Sequence, residues 1–506
     1  MKKTKLLCLL LAAAMLLCML SACNGSGGGG NGGGERVDGS WENVDFDGQE
    51  VRFAVSVNQY DEATFPAANI YTKGPDQADS NEVTKAVLAR NARAVAELNV
   101  EIIYMERDLL YDKVQGDIKD IVLSNSAISP DIYNNDYYGL GRAMINGYLW
   151  NTKNPGVDAN GDAYTNYFDY TADGWYEDFI KGCTFDQNKY YIFAGDYFID
   201  MIRMAWVVLV NNTLLADNVG SLPKWCQSLD EFYTYVEVGD WTFDSLKKLA
   251  GAVHSGSATS GKTEKTDLRV GLAINHTTDW VFESSAGVGL YYLDDNFVPH
   301  AVDNIDAYQK AVNAYKSLYE GKGVYFQQEV LSSTECFMQG NFLFAVSKLG
   351  EMESAELRDV DFEKGVVPTP KLYAENAYHT VAHDQTEVGC ILKSAKAFSA
   401  ASALMQYLNE ESGGVINAYY EKGLKYKYND DPHSRKMMDI VRDSLDTPFS
   451  FYFGPLCHQL LYEGAGGPPY TPTLQSFDGL SGEFASWKHA YKDCLQKMID
   501  KFASFE

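Results

Sequence analysis

Basic residues are scarce in this sequence, and long apolar runs are confined to its beginning. The 506 residues carry 42 lysine and arginine side chains against 69 aspartate and glutamate side chains, a formal net charge of −27. Binding of nucleic acid depends on basic side chains that neutralise phosphates, so this balance argues against a nucleic-acid partner. The same charge disfavours adsorption onto anionic lipid headgroups. The sequence contains no internal repeat and no second membrane-spanning stretch.

Motifs for catalysis and metal binding are also missing or incomplete. The sequence has no G-x-S-x-G nucleophile elbow, and His379 and His383 lack the glutamate that H-E-x-x-H places between two histidines. The possibility of a carboxylate pair for glycoside hydrolysis stays open, because a sequence does not give the distance between two side chains. We therefore assign no catalytic residue, no metal ligand and no cofactor.

One octapeptide imitates a nucleotide-binding loop. Residues 256–263 match the pattern G-x-x-x-x-G-K followed by serine or threonine. A phosphate-binding loop of this kind follows a buried strand and opens a helix, whereas here a helical pattern comes before and polar residues come after. The octapeptide is therefore predicted to be a flexible loop.

A second pattern consists of oxygen-bearing side chains spaced like calcium ligands: Asp158, Asn160, Asp162, Asn166 and Asp169. The sixth position of a calcium loop is usually glycine but is Ala163 here, and the last ligand is aspartate rather than glutamate. A solvated acidic turn is the favoured interpretation, and calcium binding is left open.

The first residues are typical of an export signal. Three lysines within the first five residues precede an apolar run over residues 6–22, which is short for a spanning helix of about 20 residues. The run ends in Leu-Ser-Ala-Cys, which resembles the lipobox of bacterial lipoproteins, with Cys23 as the lipidated residue. We predict a signal peptide over residues 1–22 and a lipid anchor followed by a glycine-rich linker over residues 23–44. The alternative is a plain secretory signal with an incidental cysteine.

Removal of the signal peptide leaves 484 residues, more than one hydrophobic core usually organises, so two lobes are expected. Six cysteines remain besides Cys23. Their even number permits disulfides outside the cytoplasm, but their wide spacing is equally compatible with buried thiols. The six are Cys183, Cys226, Cys336, Cys390, Cys457 and Cys494.

Strand and helix patterns alternate from residue 51 onward. Strands are predicted at residues 51–57, 100–105 and 130–133, and helices at residues 81–98, capped by Ser80, and 112–123. This βαβαβ order predicts an α/β fold with a largely parallel sheet and helices on both faces. Further patterns predict strands at residues 205–211, 341–347 and 388–392, a helix capped by Thr242, and an amphipathic C-terminal helix over residues 484–502.

Six short motifs, spread over nearly the whole mature chain, resemble landmarks of one family. They are a PDI strand at residues 130–132, an apolar strand ending in Asn211, a W-T-x-x-x-L helix start at Trp241, an F-x-x-G element at residues 337–340, a P-x-P element at residues 368–370 and a tyrosine-rich segment at residues 419–428. In this order they resemble the extracellular solute-binding proteins of bacterial ABC importers, in the broad family that contains maltose-binding protein.

The resemblance implies a two-lobed, type II periplasmic-binding-protein-like fold with an interlobe cleft. It implies hinge crossings near Met204, Ala382 and Asn429, closure of the lobes on a solute, and docking of the closed form on a membrane permease. We expect a monomer. Lobe 1 would comprise residues 45–203 plus 383–428, and lobe 2 residues 205–381 plus 430–505.

Ligands of such proteins bind in the crevice at the carboxyl ends of the strands. The candidate ligand-binding residues at these positions are Gln59, Tyr60, Asp136, Tyr137, Arg203, Trp280, Glu283, Lys348 and Asp384. Aromatic rings and planar polar groups together suit a sugar, because rings stack on its C–H face and polar groups bind its hydroxyls. Arg203 and Lys348 suit a carboxylated solute equally well.

The favoured hypothesis is therefore the solute-binding component of an ABC importer, with a carbohydrate or oligosaccharide as the expected solute. A surface-anchored glycan hydrolase is the first alternative and would cleave its ligand. A structural or adhesive lipoprotein is the second and would lack a deep cleft between two lobes.

Overall fold

The computed structural model describes most of the chain beyond the linker. The described residues are 33–34, 36, 39–57, 69–75, 81–109, 111–158, 160–256, 262–275, 277–327, 333–383, 385–427, 431–446, 452 and 480–505. The predicted signal peptide, Cys23, Gln59, Tyr60, Asp384, Asn429 and Cys457 lie outside these residues.

The first sheet follows the predicted βαβαβ order. Strands β1 (Gln49–Ser56), β2 (Val100–Arg107) and β3 (Ile132–Asp136) lie parallel, and β11 (Glu387–Ile391) extends the sheet antiparallel to β3. The strand order is β11-β3-β1-β2. Parallel neighbours need crossover connections, which the helices between these strands supply.

The second sheet has the order β10-β4-β9-β5-β8. Strand β4 (Trp206–Asn211) lies antiparallel to both neighbours, β10 (Lys364–Pro368) and β9 (Phe342–Lys348), whereas β5 (Val270–Ile274) lies parallel to β9 and β8 (Val324–Phe326). The largely parallel arrangement predicted from the first strands therefore does not extend to this sheet, which is mixed. All six residues of β4 are buried, which explains its unbroken apolar sequence.

The helices cover both sheets. Their N-caps follow the expected chemistry, with one correction: the helix predicted after Ser80 begins at Glu82, because the Asn81 side chain accepts a hydrogen bond from the Val83 amide. Thr242 caps the next predicted helix in a capping box with Ser245. The α-helices are α1 Asn69–Thr72, α2 Glu82–Leu98, α3 Tyr111–Ser124, α4 Tyr137–Ile145, α5 Glu177–Gly182, α6 Asp200–Arg203, α7 Asn212–Asp217, α8 Leu229–Glu237, α9 Phe243–Val253, α10 Thr278–Ser285, α11 Asp306–Tyr319, α12 Ser333–Phe337, α13 Ala355–Arg358, α14 Phe398–Glu410, α15 Gly413–Ile416, α16 Pro432–Asp443 and α17 Leu480–Ala503, with 3-10 turns at Val219–Ser221 and Leu349–Glu353 and a π-helix at Asn417–Lys427.

Two chain segments pass side by side between the sheets. Ala205 and Ala382 form an isolated antiparallel bridge, and the Trp206 amide donates to the Val381 carbonyl at 3.0 Å. A third segment joins them, since the Asp446 amide donates to the Thr380 carbonyl at 2.8 Å. These pairings fix the two strands that connect the halves of the molecule. The first connecting strand contains Ala205 and the second contains Ala382.

Two further contacts hold the halves together away from these strands. The hairpin of β6 (Tyr291–Leu293) and β7 (Pro299–Ala301) places the Phe297 ring 5.0 Å from the Lys181 ammonium. Helix α17 binds both halves: Lys492 pairs with Asp303, while the Phe502 carbonyl accepts from Lys189 at 3.0 Å. These contacts therefore link the two lobes in addition to the connecting strands.

Five of the six mature cysteines are described, and all five are buried free thiols: Cys183, Cys226, Cys336, Cys390 and Cys494. Burial raises the pKa of the Cys183 and Cys390 thiols, which keeps them protonated. Within the described part of the chain, no helix is both long enough and apolar enough to cross a membrane.

Candidate functional site

A pocket of about 350 Å³ opens beside the connecting strands. One wall comes from the loop and helix around Trp175 and from α6, which leads into β4; the other comes from the segment after α16. The lining residues are Trp175, Tyr176, Glu177, Asp178, Phe179, Met201, Leu445 and Asp446. Its volume lies at the lower end of the range of about 300–1,000 Å³ for small-molecule sites.

The aromatic wall is fixed by a glycine turn and by hydrogen bonds. Gly174 has φ +93°, a conformation that side-chain-bearing residues rarely adopt. Trp175 follows it and donates from its indole nitrogen to the Gln406 side chain at 2.9 Å. The Tyr176 amide then donates to the Ala194 carbonyl at 3.1 Å. The two aromatic residues are therefore held by the fold and not by a solute.

Tyr176 has a partly buried acidic partner. Its hydroxyl donates to Asp196 Oδ1 at 3.0 Å. Burial raises the pKa of Asp196, while the hydrogen bond from Tyr176 and the charge of Arg442 act in the opposite direction. Burial also raises the pKa of Tyr176 well above its ordinary value, so its hydroxyl stays a hydrogen-bond donor.

The opposite wall carries an exposed carboxylate. Asp446 Oδ2 lies 2.7 Å from His379 Nδ1, and the Asp446 side chain is 45% exposed. Its backbone amide is bound to Thr380, which precedes the second connecting strand. Asp446 is thus placed by the connecting strands themselves, with part of its carboxylate facing solvent.

Four residues predicted from the sequence to contact ligand are buried and have partners within the protein. Asp136 caps α4, accepting from the Gly139 amide at 2.7 Å. The Tyr137 ring packs edge-on against Phe179, which lines the pocket, with centroids 6.1 Å apart. Arg203 donates to Glu353 at 3.1 Å and also pairs with Asp200.

Glu283, the fourth, accepts a hydrogen bond from the Tyr308 hydroxyl at 2.6 Å. In this conformation these four side chains contact protein rather than solvent, so direct contact with a solute requires rearrangement. Trp280 and Lys348 are half-buried, and the Lys348 ammonium lies 3.6 Å from Glu351. The assignment of these residues to ligand binding stays a prediction.

Sequence reasoning missed the pocket residues that the structure brings together. The stretch Gly174–Phe179 reads GWYEDF, in which three aromatic and two acidic residues follow a glycine. Such a cluster outside any strand or long helix was the available signal. Asp446 carries no local signal, because only the pairing of its backbone with Thr380 places it at the pocket.

The structure describes the surroundings of the nucleotide-like and the calcium-like motif. Residues 257–261 of the nucleotide-like octapeptide lie outside the described residues, but helix α9 precedes it and strand β5 follows, the reverse of a phosphate-binding loop. In the calcium-like pattern, Asp158 Oδ1 accepts from the amides of Asn160 and Asp162 at 2.8 and 2.9 Å. Across the described residues, no group of three or more His, Cys, Asp or Glu side chains is arranged to hold a metal ion.

Comparison with known proteins shows similarity in structure only. No protein-family model matches the sequence, and no curated protein matches it. The cyclic α-maltosyl-1,6-maltose binding protein of Arthrobacter globiformis is similar with a TM-score of 0.53 and 13% identity, over 89% of this chain and 100% of that chain. The galacto-N-biose/lacto-N-biose I-binding protein of the ABC transporter from Bifidobacterium longum gives 0.52 and 12%, over 91% and 99%.

A cyclo/maltodextrin-binding protein gives a TM-score of 0.50 at 11% identity, over 90% of this chain and 97% of that chain. At such identities the likeness defines the fold. The chain has the two-lobed α/β fold of the periplasmic-binding-protein type, as the sequence motifs implied.

Proposed function

We propose that this protein captures a carbohydrate between its two lobes and delivers it to the permease of an ABC importer. The observation that carries the proposal is the interlobe pocket, in which aromatic and acidic side chains meet within this fold. The structural neighbours, described as sugar-binding proteins, support the same substrate class.

The pocket has the chemistry that sugars require. Tyr176 offers a ring surface for the C–H face of a pyranose, supported by the buried Trp175 ring beside it, and Glu177 and Asp446 offer acceptors for hydroxyl groups. Because its walls come from both sides of the connecting strands, a bound solute contacts both lobes. A ligand that makes such contacts favours the closed state over the open one.

The chain acts as a monomer tethered by lipidated Cys23 at the outer face of the cell membrane, with residues 45–203 and 383–428 as lobe 1 and residues 205–381 and 430–505 as lobe 2. The glycine-rich tether lets the folded part reach the permease. No catalysis is assigned to it.

Replacing Tyr176 by alanine is expected to weaken solute binding by about 1–3 kcal/mol, roughly 5- to 150-fold, because it removes a ring surface from the pocket. The solute is first identified by a thermal-shift screen of mono- and oligosaccharides, sugar acids and peptides, since a ligand stabilises the folded state that binds it. Calorimetry then measures the loss of affinity.

Tyr373→Ala is the matched control, because Tyr373 is a 43% exposed tyrosine outside the pocket lining. Equal affinities of the Tyr176 and Tyr373 variants would contradict the pocket assignment. Solution scattering should also show a more compact particle with solute bound than without it. Cleavage of the bound glycan would replace transport by hydrolysis as the function.

Replacing Cys23 by alanine is expected to release the protein from the membrane fraction. A diacylglyceryl group supplies two acyl chains, enough for stable anchoring, and the acidic folded part has little affinity for anionic headgroups. Fractionation after a carbonate wash measures the release, with Cys18→Ala as a control within the signal peptide. Retention of the Cys23 variant in membranes would exclude a lipid anchor at this residue.

A further inference from the structure

The interlobe pocket is acidic on both walls. Glu177 and Asp178 belong to one wall and Asp446 to the other, and its described lining residues include no lysine, arginine or histidine. Asp196 adds a fourth carboxylate directly behind Tyr176. A solute in the pocket therefore meets carboxylates from both lobes.

Basic groups near the pocket offset this charge only in part. Lys181 lies 3.0 Å from Glu177 and 3.8 Å from Asp178. The positive charge of Arg442 lowers the pKa of Asp196, and Arg442 also lies 3.8 Å from Glu421. Two permanent cations, Lys181 and Arg442, and the His379 imidazole beside Asp446 lie near four carboxyl groups. The local balance is negative, as is that of the whole chain.

Arg203 and Lys348, the two basic residues that would suit a carboxylated solute, contact carboxylates of the protein itself. Arg203 is held between Asp200 and Glu353 with its side chain 2% exposed. The Lys348 ammonium lies 3.6 Å from the buried Glu351 carboxylate. Neither basic residue is among those that line the pocket. The acidic side chains therefore line the pocket, whereas Arg203 and Lys348 lie outside its lining.

We propose that the pocket rejects sugars that carry a carboxylate and binds amine-bearing sugars more tightly than their neutral counterparts. This rests on the proposed sugar-binding function and specifies its substrate class. An ammonium group gains attraction from Asp446 and Glu177, whereas a uronate is repelled by both. Because these carboxylates are partly exposed, each step in charge should change affinity by about fivefold.

The experiment uses matched trios of mono- and disaccharides, each with a neutral, a 2-amino and a uronic acid member of one stereochemistry. Calorimetry on the mature protein at low salt should give affinities in the order amino sugar, neutral sugar, uronic acid. The differences should shrink at about 1 M salt, where the Debye length falls to about 3 Å.

The Asp446→Asn variant tests the origin of the selectivity. It should lower the ratio of amino-sugar to uronic-acid affinity by about fivefold and leave neutral-sugar affinity closer to its original value. Asp217→Asn is the matched control, because it removes the same charge from an exposed position on α7 and should leave the ratio unchanged.

A uronic acid that binds as tightly as its neutral counterpart would overturn the inference while leaving sugar capture intact. An unchanged affinity ratio in Asp446→Asn would also overturn it, because the pocket carboxylate would then play no part. Binding of none of the carbohydrates would overturn the proposed function together with the inference.

Discussion

Replacing Arg203 by methionine is expected to lower the free energy of unfolding by about 3–5 kcal/mol, because two buried carboxylates lose the cation they share. The side chains of Asp200 and Glu353 are only 8% and 9% exposed. Urea unfolding monitored by tryptophan fluorescence measures the change. Methionine preserves much of the apolar volume of the arginine side chain, so the charge is the main difference.

The surroundings of Arg203 explain the size of this effect. Its guanidinium lies 4.5 Å above the Tyr71 ring, and the Tyr71 hydroxyl donates to Glu353 at 3.1 Å. Arg203 comes directly before the first connecting strand, whereas Glu353 follows β9 of the second sheet. The ion pair therefore joins the two halves at their connection. Burial raises the pKa of Glu353, and Arg203 counteracts this.

An exposed pair of the same kind provides the control. Arg93 lies 2.8 Å from Glu411, with side chains 51% and 41% exposed. Arg93→Met should cost at most about 1 kcal/mol, since exposed ion pairs contribute little. The double variant Arg203→Met with Glu353→Gln should recover part of the loss, because one orphaned charge is gone. Equal destabilisation by the two single variants would show that burial of the Arg203 network contributes nothing.

The fold was largely predictable because its signals are local. Hydrophobic periodicity located β1, β2 and β3 to within a few residues, and the Thr242 cap was read from the residue itself. The antiparallel placement of β4 was not predictable, since its unbroken apolar sequence records burial on both faces but not strand direction. Direction depends on distant partners that the sequence pattern does not reveal.

The candidate residues read from the sequence differ from the residues that line the pocket. Asp136 and Tyr137 were placed correctly at the end of β3, but their neighbours turn them inward: one caps a helix and the other supports Phe179 from behind. Tyr176 and Asp446 meet at one pocket although 270 positions separate them in the sequence. A contact of this kind is a product of tertiary structure and leaves no local pattern.

Glu283 is a buried acid whose protonation should make stability depend on pH. Its side chain accepts a hydrogen bond from Tyr308 at 2.6 Å inside the second lobe. Burial raises the pKa of Glu283 from 4.5 to about 8, with the charge of Asp279 adding to the rise and the Tyr308 hydrogen bond opposing it. At neutral pH the folded protein therefore holds this residue as a carboxylic acid.

The sign of the effect follows from linkage. Below about pH 4.5 Glu283 is protonated in both the folded and the unfolded state, so its contribution to stability is fully present. Between there and about pH 8 the unfolded chain releases the proton while the folded protein keeps it, so stability falls as the pH rises. Glutamine has a similar shape and does not ionise, which makes Glu283→Gln the appropriate reference.

Relative to Glu283→Gln, the unmodified protein should lose stability on the order of 4 kcal/mol between pH 4.5 and pH 8.5. Urea unfolding of both proteins across this range measures the difference, in which the titration of all other groups cancels. Glu101→Gln, at an exposed position of β2, is the matched control and should give a nearly pH-independent difference. If the Glu283 curve is equally flat, the carboxyl group ionises as it does in water, and the second lobe carries an additional buried charge.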